Sequence, residues 1–182
     1  MTSRYAAFLR GINLGRQRRV GGDELRRLFT ELGFADVATF RTSGNVVFAA
    51  GRERAGELGR RIEGALEAGL GYEVAVFLRS GRGVQALVDE RPFTPAELKR
   101  SKGKHQVLLL PKRPTARARS EIMKQASGED ALAFGGRELH WLPSAGTRDS
   151  GLDLVAVEKL IGPTTMRTKG TIDQLWAKYF AG

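Results

Sequence analysis

Apolar residues in the first half of the chain recur at two different spacings. Continuous apolar runs such as Tyr5 to Leu9 are typical of buried strands, whereas Leu25, Leu28 and Leu32 recur at the spacing of one helix face. Gly44-Asn45 lies between two β-rich runs and is a hairpin signal. In chain order the pattern predicts a strand over 5–9, a helix over 25–32, strands over 37–42 and 46–50, a helix over 58–66 and a strand over 73–78.

The second half repeats much of this order at a distance of about a hundred residues. Gly135-Gly136 marks its hairpin, Ser150-x-x-Asp153 is expected to open one helix, and Thr171-x-x-Gln174 is expected to open the last one. The predicted elements are a strand over 106–110, a helix over 115–126, strands over 131–134 and 138–142, and helices over 154–161 and 172–179.

Two such βαββα(β) units predict an α+β protein made of two ferredoxin-like repeats packed together. The apolar run at residues 5–9 does not alternate, which indicates a strand that is buried on both faces. Prolines at Pro92 and Pro95 are typical of a boundary that does not continue a strand. We therefore expect one half over 1–93 and a second half, with an extra C-terminal helix, over 94–182.

Composition excludes several classes of site. The 182 residues contain no cysteine, so disulfides, thiolate metal sites and cysteine nucleophiles are excluded. No apolar run approaches the roughly 18 residues of a membrane span, and the first apolar run is too short for a signal peptide. A cytoplasmic protein without a membrane partner is expected.

The net charge of +10 is the kind of excess that attracts nucleic acids, nucleotides or other anions. A GC-rich coding bias, which enriches arginine, alanine and glycine, is the alternative explanation. If the charge serves nucleic-acid binding, the affinity falls steeply with salt. The candidate residues lie in an acid-free stretch and are Lys99, Arg100, Lys102, Lys104, Lys112 and Arg113.

The ferredoxin-like topology predicts a binding edge in the first half. Because the first and third strands are neighbours in that fold, the end of the first strand meets the hairpin that opens the third. Arginine supplies forked donors for phosphate or carboxylate, and glycines expose backbone N–H groups. The alternative is that the glycines and asparagines only make turns. The predicted edge for a small phosphorylated or carboxylated ligand consists of Arg10, Gly11, Asn13, Ser43, Gly44 and Asn45.

A second anion-binding element is predicted before the last helix. Arg167 and Lys169 precede Thr171, and the N terminus of a helix favours an anion. The alternative role for Thr171 is to cap that helix.

Catalytic and cofactor motifs are weak in this sequence. Gly81-x-Gly83-x-x-Ala86 lacks the following strand and acid of a dinucleotide site, and no cofactor is predicted. His105 and His140 are far apart in the sequence and predict no metal site. An enzyme that uses Arg10 and Arg167 as clamps on an anionic substrate is a third hypothesis. Its candidate acids and bases are Asp23, Glu24, Asp149 and Asp153.

Five segments spread over nearly the whole chain form a distinctive set. They are Leu9 to Gly15, Thr42 to Phe48, Pro92-Phe93, Gly146 to Ser150 and Thr164 to Thr171. These segments resemble the signature segments of the DUF1697 family of uncharacterised bacterial proteins. The resemblance implies an α+β fold of duplicated ferredoxin-like halves and implies no particular activity.

Overall fold

The structure, a computed structural model, describes residues 2–12, 19–42, 44–51, 53–126, 130–147 and 150–182. Its contacts group the chain into two compact units, Met1–Ala86 with Leu175–Gly182, and Leu87–Gln174. The division predicted at residue 93 stays a prediction. No helix within the described residues is both long and apolar enough to cross a lipid bilayer.

The first unit contains a four-stranded antiparallel sheet in the order β2-β3-β1-β4. This is the strand order predicted for the ferredoxin-like topology. Its elements are β1 (Ser3–Leu9), α1 (Gly22–Glu31), β2 (Ala35–Phe40), β3 (Asn45–Ala50), α2 (Ala55–Leu70) and β4 (Val76–Ser80), and β4 leads directly into α3 (Gly81–Asp89).

Alternate residues of β1 and β3 face an apolar core that includes residues of α1 and α2. Phe29 of α1 and Phe48 of β3 meet edge to face, with ring centroids 5.3 Å apart. The four residues from Ala6 to Leu9 are all at most 2% exposed. Both faces of β1 are therefore buried, as the continuous apolar run predicts.

The second unit repeats the topology with a sheet in the order β6-β7-β5-β8. Two sheets of the same strand order confirm an α+β fold built from two repeats. The elements are α4 (Pro95–Arg100), β5 (Gln106–Leu109), α5 (Ala116–Met123), β6 (Ala131–Phe134), β7 (Glu138–Leu142), α6 (Leu154–Ile161) and β8 (Thr165–Thr168), followed by α7 (Lys169–Tyr179).

The last helix differs from the sequence prediction. It begins at Lys169, not after Thr171, because the hydroxyl of Thr168 accepts a hydrogen bond from the Thr171 N–H at 3.2 Å. Thr168 thus provides the side-chain oxygen expected of Thr171. The preceding residues 165–168 form an edge strand, which the sequence analysis missed because Met166 is its only apolar residue.

Two further local expectations are corrected by the structure. Asp153, not Ser150, caps α6, since its Oδ1 accepts from the N–H groups of Val155 and Ala156 at 2.9 and 3.0 Å. Ser150 instead donates its hydroxyl to Asp130. The unpredicted helix α4 has only six residues and begins with a capping box between Thr94 and Glu97.

We expect Gly44→Ala to destabilise the protein by about 1 to 3 kcal/mol. Gly44 has φ +71°, and a Cβ there would lie 2.6 Å from Cδ1 of Ile12 and 3.1 Å from Cβ of Leu9. The matched control is Gly64→Ala within α2, where nothing lies within 4 Å of an added Cβ. Urea unfolding should show that the control gains up to about 1 kcal/mol. Equal effects of the two substitutions would contradict the strain at Gly44.

Candidate functional site

The structure confirms that the end of β1 lies beside the hairpin that opens β3. The Leu9 N–H donates to the Gly44 carbonyl at 2.7 Å, and Phe8 pairs with Asn45. Arg10 and Gly11 therefore follow directly beside Gly44. Asn13 and Ser43, the other two residues predicted for this edge, lie outside the described residues.

The Asn45 side chain at this edge stabilises the hairpin. Its side chain is 1% exposed, and its Nδ2 donates to the carbonyl of Phe40 at 2.9 Å across the hairpin. This bond fixes the hairpin between β2 and β3. A ligand role for the edge stays a prediction.

Arg167 and Thr171 belong to the second unit, whereas Arg10 and Asn45 belong to the first. Arg167 lies on β8 and is buried, and its Nη1 donates to Thr165 Oγ1 at 2.9 Å and to the Met166 carbonyl at 2.8 Å. Burial lowers the pKa of the Arg167 guanidinium to about 10. The Thr171 hydroxyl lies 2.8 Å from that of Thr168.

The basic residues predicted for nucleic-acid binding are all exposed. Lys99 and Arg100 lie in the last turn of α4, where positive charge is favourable for the helix itself. The remaining candidates lie in the segments on either side of β5 and are Lys102, Lys104, Lys112 and Arg113. Binding of nucleic acid by these residues stays a prediction.

The acids considered for catalysis have local roles or lie elsewhere. Asp23 and Glu24 lie in the first turn of α1, and Asp23 pairs with Arg26. Asp153 caps α6. Asp149 lies outside the described residues.

A different set of side chains surrounds a cavity of about 300 Å³ within the second unit. One part of its wall is apolar and consists of Pro92, Phe93 and Leu98. The remaining wall carries a histidine and four charged side chains and consists of His105, Glu90, Arg91, Lys169 and Asp173.

The sheet register places the polar side chains of this site. Val107 of β5 pairs with His140 of β7 on one side and with Arg167 of β8 on the other. Since side chains alternate along a strand, His105 points to the same face as Val107 and His140. The Lys169 N–H donates to the His105 carbonyl at 2.9 Å, which brings the start of α7 beside His105.

A continuous hydrogen-bonded chain joins Glu90, His140 and His105. Glu90 Oε2 lies 2.5 Å from His140 Nε2, and His140 Nδ1 lies 3.0 Å from His105 Nε2. The His140 side chain is 1% exposed and that of Glu90 is 29% exposed. Phe93 meets the His105 ring nearly at a right angle, with centroids 5.0 Å apart. Both ends of this hydrogen-bonded chain, Glu90 and His105, therefore line the cavity, and His140 between them is buried.

Burial is the main cause that lowers the pKa of His105 to about 4, and the charges of His140 and Lys169 add to it. His105 is consequently a neutral imidazole at neutral pH. Within the described residues, no group of three His, Asp or Glu side chains is arranged to hold a metal ion.

The cationic side of the cavity is built at the C-terminal end of α3. Arg91 Nη1 and Lys169 Nζ both donate to the Val88 carbonyl, the latter at 3.0 Å, and Arg91 Nη1 also donates to the Glu90 carbonyl at 3.1 Å. Lys169 Nζ forms an ion pair with Asp173 at 2.5 Å. The two cations thus stabilise the helix end and also line the cavity.

Sequence reasoning missed this site because its members are far apart along the chain. His105 and His140 are 35 residues apart and meet only through the pairing of β5 with β7. The alternation of side chains along β7 is the signal that could have placed His140. Leu139 and Trp141 belong to the apolar core, so His140 between them must point to the opposite face.

The model of one protein family, DUF1697, described as a protein of unknown function, matches residues 1–140. A conserved bacterial protein, SP0830 from Streptococcus pneumoniae, has a similar solved structure with a TM-score of 0.72. The similarity covers 96% of this chain and 97% of that one at 21% sequence identity, and it shows the fold alone. No curated protein matches the chain.

We expect the His105 ring to stay neutral from about pH 8 to about pH 5 and to titrate near pH 4. The unfolded chain binds this proton with an ordinary pKa of about 6.5. His105 therefore contributes stability that is lost as the pH falls from about 7 toward 4.

Carbon-13 NMR of the labelled histidine rings measures the titration directly, and His105→Gln assigns the two rings. A His105 midpoint near the ordinary value of about 6.5 would contradict its burial.

Proposed function

The chain belongs to the DUF1697 family, and from the geometry of the second unit we propose that it is a binding protein for a small carboxylated or phosphorylated ligand. The observation that supports this proposal most is the cavity of about 300 Å³, which combines an apolar wall with two cations and with two acids that already have side-chain partners. Mostly apolar cavities with a few converging polar groups are the usual sites for small molecules.

The size and walls of the cavity favour a compact ligand. A volume of about 300 Å³ is at the lower end of the range for ligand sites, which suits one ring or a short carbon skeleton. Phe93 and Leu98 offer apolar contact to that skeleton. The ligand class is therefore a small organic acid or phosphate ester with an apolar body.

Among the charged groups of the wall, Arg91 is the one that favours an anion, because the other three already have side-chain partners. Asp173 pairs with Lys169, and Glu90 is hydrogen-bonded to His140. Within the described part of the chain, Arg91 donates to two carbonyls through Nη1, so the donors on Nη2 and Nε of the same guanidinium are the ones offered to a ligand. Guanidinium forks suit carboxylate and phosphate oxygens.

We expect phenylacetate and phenyl phosphate to bind in this cavity, and Leu98→Trp to weaken their binding about tenfold or more by filling the space. The matched control is Leu160→Trp, because both leucines are 43% exposed, while Leu160 lies on α6 and does not line the cavity. Ligand-observed NMR titrations measure both variants. Equal affinity in the two would contradict the location of the site.

The role of charge is tested by Arg91→Gln. This change is expected to weaken phenylacetate but to leave benzyl alcohol, its neutral analogue, unaffected. Equal losses for the two compounds would contradict an anion site at Arg91.

The edge of the first unit is a second candidate for an anion, supported by its backbone geometry. Gly11 and Gly44 have φ of +80° and +71°. Both are left-handed conformations; Gly11 is half-buried directly after Arg10, and Gly44 is buried. The proposed ligand group is a phosphate or carboxylate that contacts Arg10 and the backbone of Gly11.

For this edge we expect Arg10→Ala to reduce the rise in melting temperature that inorganic phosphate produces. Arg60→Ala, which removes an exposed arginine of α2, serves as the control for net charge. Thermal unfolding at constant ionic strength measures both. The same phosphate dependence in the two variants would contradict a site at Arg10.

A further inference from the structure

We propose, on the basis of the proposed function, that the cavity of the second unit is catalytic. In this proposal the chain of Glu90, His140 and His105 is a proton relay. It removes a proton from the carbon next to the carbonyl group of a bound 2-oxo acid. His105 is the catalytic residue that meets the substrate, and Glu90 is a positioning residue at the far end.

The hydrogen bonds of the relay define which nitrogen carries each proton. An ionised Glu90 carboxylate can only accept, which assigns the proton of this 2.5 Å contact to His140 Nε2. In the neutral ring its Nδ1 is then an acceptor for the Nε2–H of His105 at 3.0 Å. This arrangement leaves Nδ1 of His105 as a proton acceptor.

The remaining ring nitrogen of His105, Nδ1, has no hydrogen bond among the described residues. It is also not one of the fully buried polar atoms without a partner, so it keeps some contact with solvent. His105 itself lines the cavity. A bound molecule is therefore the natural partner for this nitrogen.

The proposed step moves two protons in one direction. The substrate C–H proton passes to His105 Nδ1, while the proton on His105 Nε2 passes to His140 Nδ1. The electron pair of the C–H bond forms the carbon–carbon double bond of an enolate, whose oxygen becomes negative. Return of the protons to carbon or to the enolate oxygen completes an isomerisation or exchange, and no other reactant is consumed.

The relay places the positive charge where it is best stabilised. The lowered pKa of His105 makes that ring alone a weak base, because burial and the neighbouring Lys169 oppose its protonation. After the transfer His105 is again neutral and the imidazolium is His140, whose Nε2 faces the Glu90 carboxylate at 2.5 Å. Arg91 lies in the same cavity wall, and its guanidinium favours the negative enolate oxygen.

The carboxylate of Glu90 lies close to Gly135 of the β6–β7 hairpin. A Cβ at Gly135 would lie 2.6 and 2.8 Å from the two carboxylate oxygens of Glu90. The same atom at Gly136 would lie 3.7 Å from Glu138 Oε2, an ordinary contact. Gly135→Ala thus displaces Glu90 without removing any ionisable group, and Gly136→Ala is its matched control.

The experiment measures deuterium incorporation at the methylene carbon of phenylpyruvate in D2O at about pH 7 by proton NMR. General-base catalysis typically contributes about 10² to 10⁴-fold. We expect exchange above the buffer rate in the wild type and in Gly136→Ala, a loss of about 100-fold or more in His105→Gln, and a loss of about 10-fold in Gly135→Ala.

The pH–rate profile separates a relay from a structural role. Displacing Glu90 in Gly135→Ala is expected to move the midpoint of the profile, while a merely loosened site lowers the rate at every pH equally. The relay is overturned if phenylpyruvate binds in competition with phenylacetate but exchanges at the buffer rate. It is also overturned if His105→Gln leaves the exchange unchanged.

A neutral substrate separates failure of the relay from failure of anion binding. 5-Nitrobenzisoxazole needs only a base: its C–H proton passes to His105, its N–O bond breaks, and a coloured cyanonitrophenolate forms. If phenylpyruvate does not bind but this elimination depends on His105 and Gly135, the relay stands and the proposed anion ligand is wrong. If neither compound reacts faster than in buffer, the relay is wrong.

Discussion

The register of β5 against β7 and β8 is the constraint on which the site depends. Opposite residues of an antiparallel pair share a face, and the pairing of Val107 with His140 and Arg167 sets which side chains leave the apolar core. A slip of one residue would exchange the two faces, moving His140 into the core and Trp141 out of it. Trp141 and Leu108 are buried in the helix-covered core, and their burial opposes such a slip. The apolar core therefore determines which polar side chains lie on the opposite face.

The two units share one topology but differ in the side chains on the second face of the sheet. Both sheets have the same strand order, and in both the second face of the central strands is buried as well. In the first unit this face carries Ala6 of β1 beside the buried Arg79 of β4, and in the second unit it carries Val107 of β5 beside the buried Arg167 of β8. The second unit adds the buried His140 of β7, which pairs with Val107 on its other side. Buried polar groups are costly unless they are hydrogen-bonded, and the structure gives Arg167, His140 and Glu90 such partners. A binding or catalytic site is therefore expected on the sheet face where buried polar side chains are kept despite their free-energy cost.

Local patterns predicted the parts of the fold that local physics determines. Apolar runs identified β1 and β5, and Gly44-Asn45 identified the first hairpin, which also allowed the adjacency of Arg10 and Gly44 to be predicted from topology alone. β8 was missed because an edge strand of mixed polarity owes its structure to pairing with β5. The cavity was missed for the same reason. His105, His140 and Glu90 share no motif. Strand pairing brings the two histidines together, and Glu90 meets His140 from the segment that follows α3, 50 residues away.

The proposed site depends on one hydrogen-bonded chain of Glu90, His140 and His105 that ends in the neutral acceptor Nδ1 of His105. Nitrogen-15 NMR of the imidazole rings tests it most directly, because the shift of each ring nitrogen reports whether it carries a proton. At neutral pH, His105 should have a protonated Nε2 and a bare Nδ1, with His140 protonated on Nε2. A proton on His105 Nδ1, or a His105 ring that is positively charged at neutral pH, would contradict the account.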